Sequence, residues 1–313
     1  MKLSALTAAL AAGALLLAGC APASSPGTTT DAPATITVTH TQGTTQLPAT
    51  PKRIVALDLG AYDTLRSVGL GDSVVGLPKS GPVPTELNDA TTANATDVGT
   101  AFEPNVEAIN KLAPDLVIVG FRSAKHYPEL SRYFPTIDVT YAQNRPFAEG
   151  VAYAAGIIGT ATGTSAKVDE KLAELATTIA GAKEKTVSSD TAMVLMTTAG
   201  KVTAHGSVSR YGAIYRDLGY APALAQVKDA AHGDPISFEA IKQANPGRLF
   251  VLDRDAAIGE SGTAARQVLD NELVRATPAW TNGHVVYLTG TRWYVTIHGL
   301  DNAIAMIREV AAA

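Results

Sequence analysis

Three arginines hold most of the chemistry this sequence offers a bound partner. Two of them close an internal repeat. Residues 106–122 align without a gap on residues 238–254, identical at 6 of 17 positions: Glu107/Glu239, Ala108/Ala240, Ile109/Ile241, Pro114/Pro246, Val119/Val251 and Arg122/Arg254. The third, Arg210, stands in the run His205-Gly-Ser-Val-Ser-Arg-Tyr-Gly212. A guanidinium is planar, permanently charged and forked, which suits a delocalised oxyanion. Three of them on one floor match a ligand carrying about three negative charges. His232, in His232-Gly-Asp-Pro235, and Tyr294, after Arg292-Trp293, add an imidazole and a phenol. Such groups can complete the coordination of a hard ferric ion otherwise held by ligand oxygens. Taken singly, each has a plainer reading as a solvated charge, a loop histidine or a packing aromatic.

Each repeat copy reads as a short helix, a Pro-marked turn, a buried strand and an Arg at the strand's carboxyl end. Ligands of open α/β sheets bind beyond those ends. Further strands are predicted at 35–39, 54–57, 73–77, 136–139, 192–196 and 285–288, alternating with helical pattern. Residues 147–185 are almost wholly helical. Within them Val168, Leu172, Leu175 and Ile179 form one stripe along a helix of roughly 30 Å. After it, helices are predicted at about 211–218, 237–244, 264–274 and 295–311. The expected fold is two similar α/β lobes with parallel sheets, residues 35–160 and 187–313. One long backbone helix at 161–186 joins them, with a ligand cleft between.

Composition narrows the field. The balance of 25 Lys+Arg against 29 Asp+Glu over 313 residues provides no basic field for nucleic acid. The single Cys rules out an intrachain disulfide framework, and its position is telling. Residues 1–19 have one basic residue, an apolar run and Leu17-Ala18-Gly19 directly before Cys20, a secretory signal ending in a bacterial lipobox. Cys20 is then the lipidated first residue of the mature chain, and 20–34 a disordered tether. There is no Gly-x-Ser-x-Gly elbow, Walker loop or dinucleotide fingerprint, and the six His are scattered. Neither an enzyme nor a protein-only zinc site is expected.

Over residues 35–311 the sequence resembles the substrate-binding lipoproteins of bacterial ABC importers, the class serving ferric siderophores, haem and cobalamin. The resemblance rests on residues 47–58 (Leu-Pro-Ala-Thr-Pro-Lys-Arg-Ile-Val-Ala-Leu-Asp), on Glu107 with Pro114-Asp-Leu-Val-Ile-Val119, and on residues 232–239. It implies a rigid helical spine that permits only small closure. Residues 209–212 and 253–259 resemble the branch for ferric catecholates, where three Arg form the pocket floor. Arg122, Arg210 and Arg254 fall at those motif positions. Some members add a His and a Tyr as iron ligands. His232 fits by its loop, and Tyr294 fits with Tyr287 as a rival. The resemblance also implies that Glu107 and Glu239, one per lobe, dock onto Arg residues of a permease dimer served by an ATPase. A Glu favoured by a helix dipole is the plainer alternative. The implied protein is a monomer held outside the cytoplasm by its lipid alone. It has no intrinsic cofactor, and its ligand is an iron(III)-siderophore; haem or a hydroxamate or citrate chelate stays open.

Overall fold

The computed structural model describes residues 35–186, 191–228 and 232–313. The predicted signal, the tether and Cys20 lie outside the described residues. Residues 35–313 form one unit built on two sheets. The first sheet holds β3 (Ile54–Ala56), β4 (Val74–Leu77), β5 (Thr96–Asp97), β6 (Leu116–Val119) and β7 (Thr136–Asp138) in the order β5-β4-β3-β6-β7, every pair parallel. Its central strands are continuous apolar runs because both faces are covered. Ile54, Ala56, Leu116 and Ile118 pack on one side. Val55, Val117 and Val119 pack on the other. An antiparallel hairpin of β1 (Ile36–His40) and β2 (Gly43–Leu47) docks on its edge, where Gln42 Nε2 donates to Asp138 Oδ2 at 2.6 Å.

The second sheet contains β8 (Thr191–Thr198), β9 (Lys201–His205), β10 (Ala221–Pro222), β11 (Asp234–Pro235), β12 (Arg248–Asp253) and β13 (Val285–Tyr287). Its spine β8-β12-β13 is parallel, as expected, but β9 runs antiparallel to β8 and β11 antiparallel to β9. The expected parallel sheets are thus present in the first lobe and in the β10, β8, β12 and β13 part of the second, to which β9 and β11 are added antiparallel. The cause is the two-residue turn Ala199–Gly200, with φ of +48° and +73°, the geometry that folds a strand back on its neighbour.

The expected connecting helix at 161–186 divides. Ala161 and Thr162 finish the helix Phe147–Thr162, which ends at left-handed Gly163, and the spine runs Ser165–Lys185. Its stripe buries Val168, Leu175 and Ala182, with Leu172 and Ile179 packed beside them. Other predicted helices also shift. The stretch at 211–218 holds only a wide turn at Ala213–Asp217, and 264–274 breaks at Asn271, which caps Glu272–Arg275. The last helix begins at Leu300 rather than 295.

That helix, Leu300–Ala311, packs on both the spine and Leu59–Ser67 of the first lobe. Its own cap residue Gly299 has no side chain to offer. The first lobe caps it instead: Asp63 Oδ2 accepts from Asn302 N at 2.9 Å and Thr64 Oγ1 from Leu300 N at 3.2 Å. Burial outweighs that bond and pushes the Asp63 carboxyl up to about 6.

Candidate functional site

Strand β6 ends at Val119, and Gly120-Phe121 turn the chain so that Arg122 enters the space between the lobes. Phe121 adopts φ +47°, held by its N–H to Thr140 Oγ1 at 2.7 Å. A bulky residue there stores strain, and strained backbone gathers at functional clefts. Strand β12 ends at Asp253, whose carboxylate accepts from Ala256 N at 3.1 Å and starts the short helix Arg254–Ala257. Arg210 follows β9 on a loop fastened by Ser209 Oγ to Gly206 O at 2.6 Å. Arg122 and Arg254 thus follow the carboxyl ends of parallel strands, whereas Arg210 follows the antiparallel β9 and is carried in by its loop.

They converge on Tyr294. Arg122 lies 5.0 Å from the ring centre, Arg210 5.4 Å and Arg254 5.6 Å. Arg122 Nη2 donates to the Tyr294 carbonyl at 2.7 Å, and Arg254 Nε to its phenol oxygen at 3.1 Å. Tyr294 closes the helix Gly290–Tyr294 and is 7 % exposed. Glu309 anchors that helix by accepting from Trp293 Nε1 at 2.8 Å and Thr289 N at 2.7 Å. Burial opposes ionisation of the phenol, yet the Arg254 hydrogen bond and the charges of Arg254, Arg122 and Arg210 prevail. They hold it below the usual tyrosine value. The rival Tyr287 sits on β13 under Arg266, 3.9 Å from its ring, and packs in a different cluster.

Two cavities flank this hub and share Arg122. One, of about 390 Å³, is lined by Arg210, Phe121, Tyr141 and His298. The other, of about 370 Å³, is lined by Arg254, Tyr294, Asp58 and Phe102. His232 is not within hydrogen-bond reach of the hub; it stands exposed on the loop entering β11. Glu107 and Glu239 occupy the first turns of equivalent helices, Val106–Leu112 and Phe238–Ala244. Both are exposed, and Glu107 pairs with Lys111 at 2.7 Å. Among the described residues no cluster of three His, Cys, Asp or Glu could hold a metal, and no helix is long and apolar enough to cross a membrane.

Sequence reasoning missed the seam beneath the hub. His298 Nε2 meets Asp58 Oδ1 at 2.6 Å, both nearly fully buried, with Phe121 stacked 4.3 Å from the imidazole. Burial pushes against ionisation of Asp58, but His298, the Ala61 N–H and Arg122 hold its carboxyl below the usual range. Arg216 donates to the carbonyls of Asn144 at 2.5 Å and Arg145 at 2.6 Å, while Asp217 accepts from Phe147 N and Ala148 N, each at 3.1 Å. This clamp ties the second lobe to the start of the Phe147–Thr162 helix. The position of Asp58, after a buried strand and before a helix, was the one available signal.

The chain matches the family model for periplasmic binding proteins over residues 54–291. It is similar to the petrobactin-binding protein YclQ of Bacillus subtilis, 37% identical over 278 residues covering 88% of this chain and 87% of that one. The crystal structure of YclQ superposes with a TM-score of 0.85 at 36% identity, over 89% of this chain and 98% of the other. The periplasmic catecholate-siderophore binding protein VctP of Vibrio cholerae gives 0.82 at 31% identity, over 90% and 100%. Two lobes on one helical spine, an Arg after the strand of each repeat copy, and these likenesses lead to one conclusion: the chain belongs to the periplasmic binding protein family.

Proposed function

We propose that this protein captures an anionic ferric siderophore of the catecholate type and hands it to an ABC permease. The convergence of Arg122, Arg210 and Arg254 on Tyr294 is the observation that carries the reading. Ferric catecholates are negatively charged and rigid, and they present planar oxygen pairs that guanidinium forks can meet. The similar proteins named for petrobactin and for catecholate siderophores support the ligand class. Siderophore oxygens hold the iron. Where they leave two sites open, Tyr294 and His232 fill them. Tyr294 is prepared for this, because the same arginines that attract the ligand lower the cost of its phenolate.

On this reading Cys20 carries the lipid, holding the protein outside the cytoplasm, and the tether gives the body its reach. Glu107 and Glu239 present one carboxylate per lobe to the permease dimer, with the ATPase beyond it. The protein acts as a monomer and holds no cofactor of its own.

Intrinsic-fluorescence titration with ferric catecholates tests the cleft. Arg210→Ala with Arg254→Ala is expected to weaken binding by about 100-fold or more, since hydrogen bonds to charged groups each contribute about 1.5–3 kcal/mol. Undiminished affinity would overturn the assignment. A charge-transfer band that shifts in Tyr294→Phe reports direct ligation, and an unchanged band means that the siderophore fills all six sites.

A further inference from the structure

We propose that His205 is a positioning residue for His232. Its imidazole lies behind the loop bearing His232 and accepts the hydrogen bond of the ring nitrogen that His232 leaves free when its other nitrogen meets iron. The inference rests on the reading of His232 as an iron ligand given above.

The placement follows from strand register. Strand β11 pairs antiparallel with β9, setting Asp234 opposite Ala204 and Pro235 opposite Thr203. One step further out, Gly233 comes beside His205, and His232 follows. Gly233 has φ +80°, and a Cβ on it would lie 2.7 Å from His205 Nε2 and 2.8 Å from Thr203 Oγ1. Only glycine leaves the imidazole its place against this loop.

His205 is 3 % exposed, and its Nε2 is buried with no hydrogen-bond partner among the described residues. Its ring is fixed edge-on to Tyr211, with centroids 4.6 Å apart and planes at 80°. A neutral imidazole keeps one nitrogen as an acceptor. Leaving a buried polar atom unpaired is costly, which makes this nitrogen a partner in waiting. A metal-bound histidine nearly always gives its second N–H to such a partner, which fixes ring orientation and raises ligand basicity.

The test compares a ferric bis-catecholate, which leaves two iron sites open, with a ferric tris-catecholate, which leaves none. It uses the full chain carrying His205→Phe, His205→Gln or His232→Ala. His205→Phe keeps the ring packing and removes the nitrogen. It is expected to weaken bis-catecholate binding about 10-fold or more, move the charge-transfer band toward that of His232→Ala, and leave tris-catecholate binding unchanged. His205→Gln, which restores an acceptor, recovers part of the loss. If His232→Ala perturbs the bis-catecholate complex but His205→Phe does not, the role of His205 is overturned alone. If neither variant has an effect, the ligation reading falls and this inference with it. Equal losses for both chelates mean that His205 only supports the cleft wall, which also overturns the proposal.

Discussion

The two copies of the repeat begin alike and end differently. Asn105 and Ser237 each cap their helix, accepting from Ala108 N and Ala240 N. Each helix leaves through a left-handed residue, Ala113 at φ +44° and Asn245 at φ +50°, then a proline, then a buried strand. Beyond the strands they part. Gly120-Phe121 bend the first copy through a strained residue, and Arg122 grips the Tyr294 backbone. Asp253 starts a helical turn in the second, and Arg254 grips the Tyr294 phenol. One copy thus fixes where the tyrosine stands, and the other governs its proton. A duplicated frame has kept its entrances and specialised its exits.

The widest gap between the copies is expected at that proton. Arg254→Ala removes a charge and a hydrogen bond, whereas Arg122→Ala removes a charge and a carbonyl contact. The Tyr294 titration is expected to rise in both variants, and further in Arg254→Ala than in Arg122→Ala. Ultraviolet phenolate absorbance, differenced against Tyr294→Phe, reads both, and equal shifts would erase the division of labour. Because the folded phenol lies below its unfolded value, its contribution to stability is present above pH 10 and lost as pH falls through the folded value.

A control outside the repeat separates ligand charge from stability. The Asp63 carboxyl is raised in the folded state, so the folded protein binds the extra proton and stability grows as pH falls through about 6 toward 3.8. Asp63→Asn keeps the acceptor for Asn302 and is expected to flatten that rise, about 1–3 kcal/mol in denaturant titrations at pH 5 and 8. Ligand affinity should not change.

Smaller effects probe the shared entrances. Asn105→Ala and Ser237→Ala should each cost about 1 kcal/mol in chemical denaturation, and a large inequality would show that the copies are not equivalent. Ala113→Gly should stabilise by about 0.5–1 kcal/mol, and Asn245→Gly by less, because asparagine tolerates the left-handed region better than alanine.

Much of this was legible in the sequence because it is local. Apolar runs give the strands, the Ser165–Lys185 stripe gives the spine, and the repeat gives two equivalent Arg at strand ends. Arg210 and Tyr294 were found through motif position, and only the fold shows that Tyr294 rather than Tyr287 meets the arginines. The hairpin β8–β9 escaped because Ala199 is a poor advertisement for a positive φ. The Asp58–His298 pair spans 240 positions, and no periodicity reports a contact between residues so distant. His205 escaped for a related reason. Its meaning comes from a neighbouring strand that places Gly233 beside it.

The cap on the last helix has a consequence for how the chain is made. Leu300–Ala311 is made more than 200 residues after Asp63 and Thr64, yet its amino end rests on them. Domains commonly fold in the order they are synthesised. Here the Leu59–Ser67 surface stays uncovered until that helix has been made. The first lobe made alone therefore lacks its closing contact, and the fold locks only when segments far apart in sequence meet.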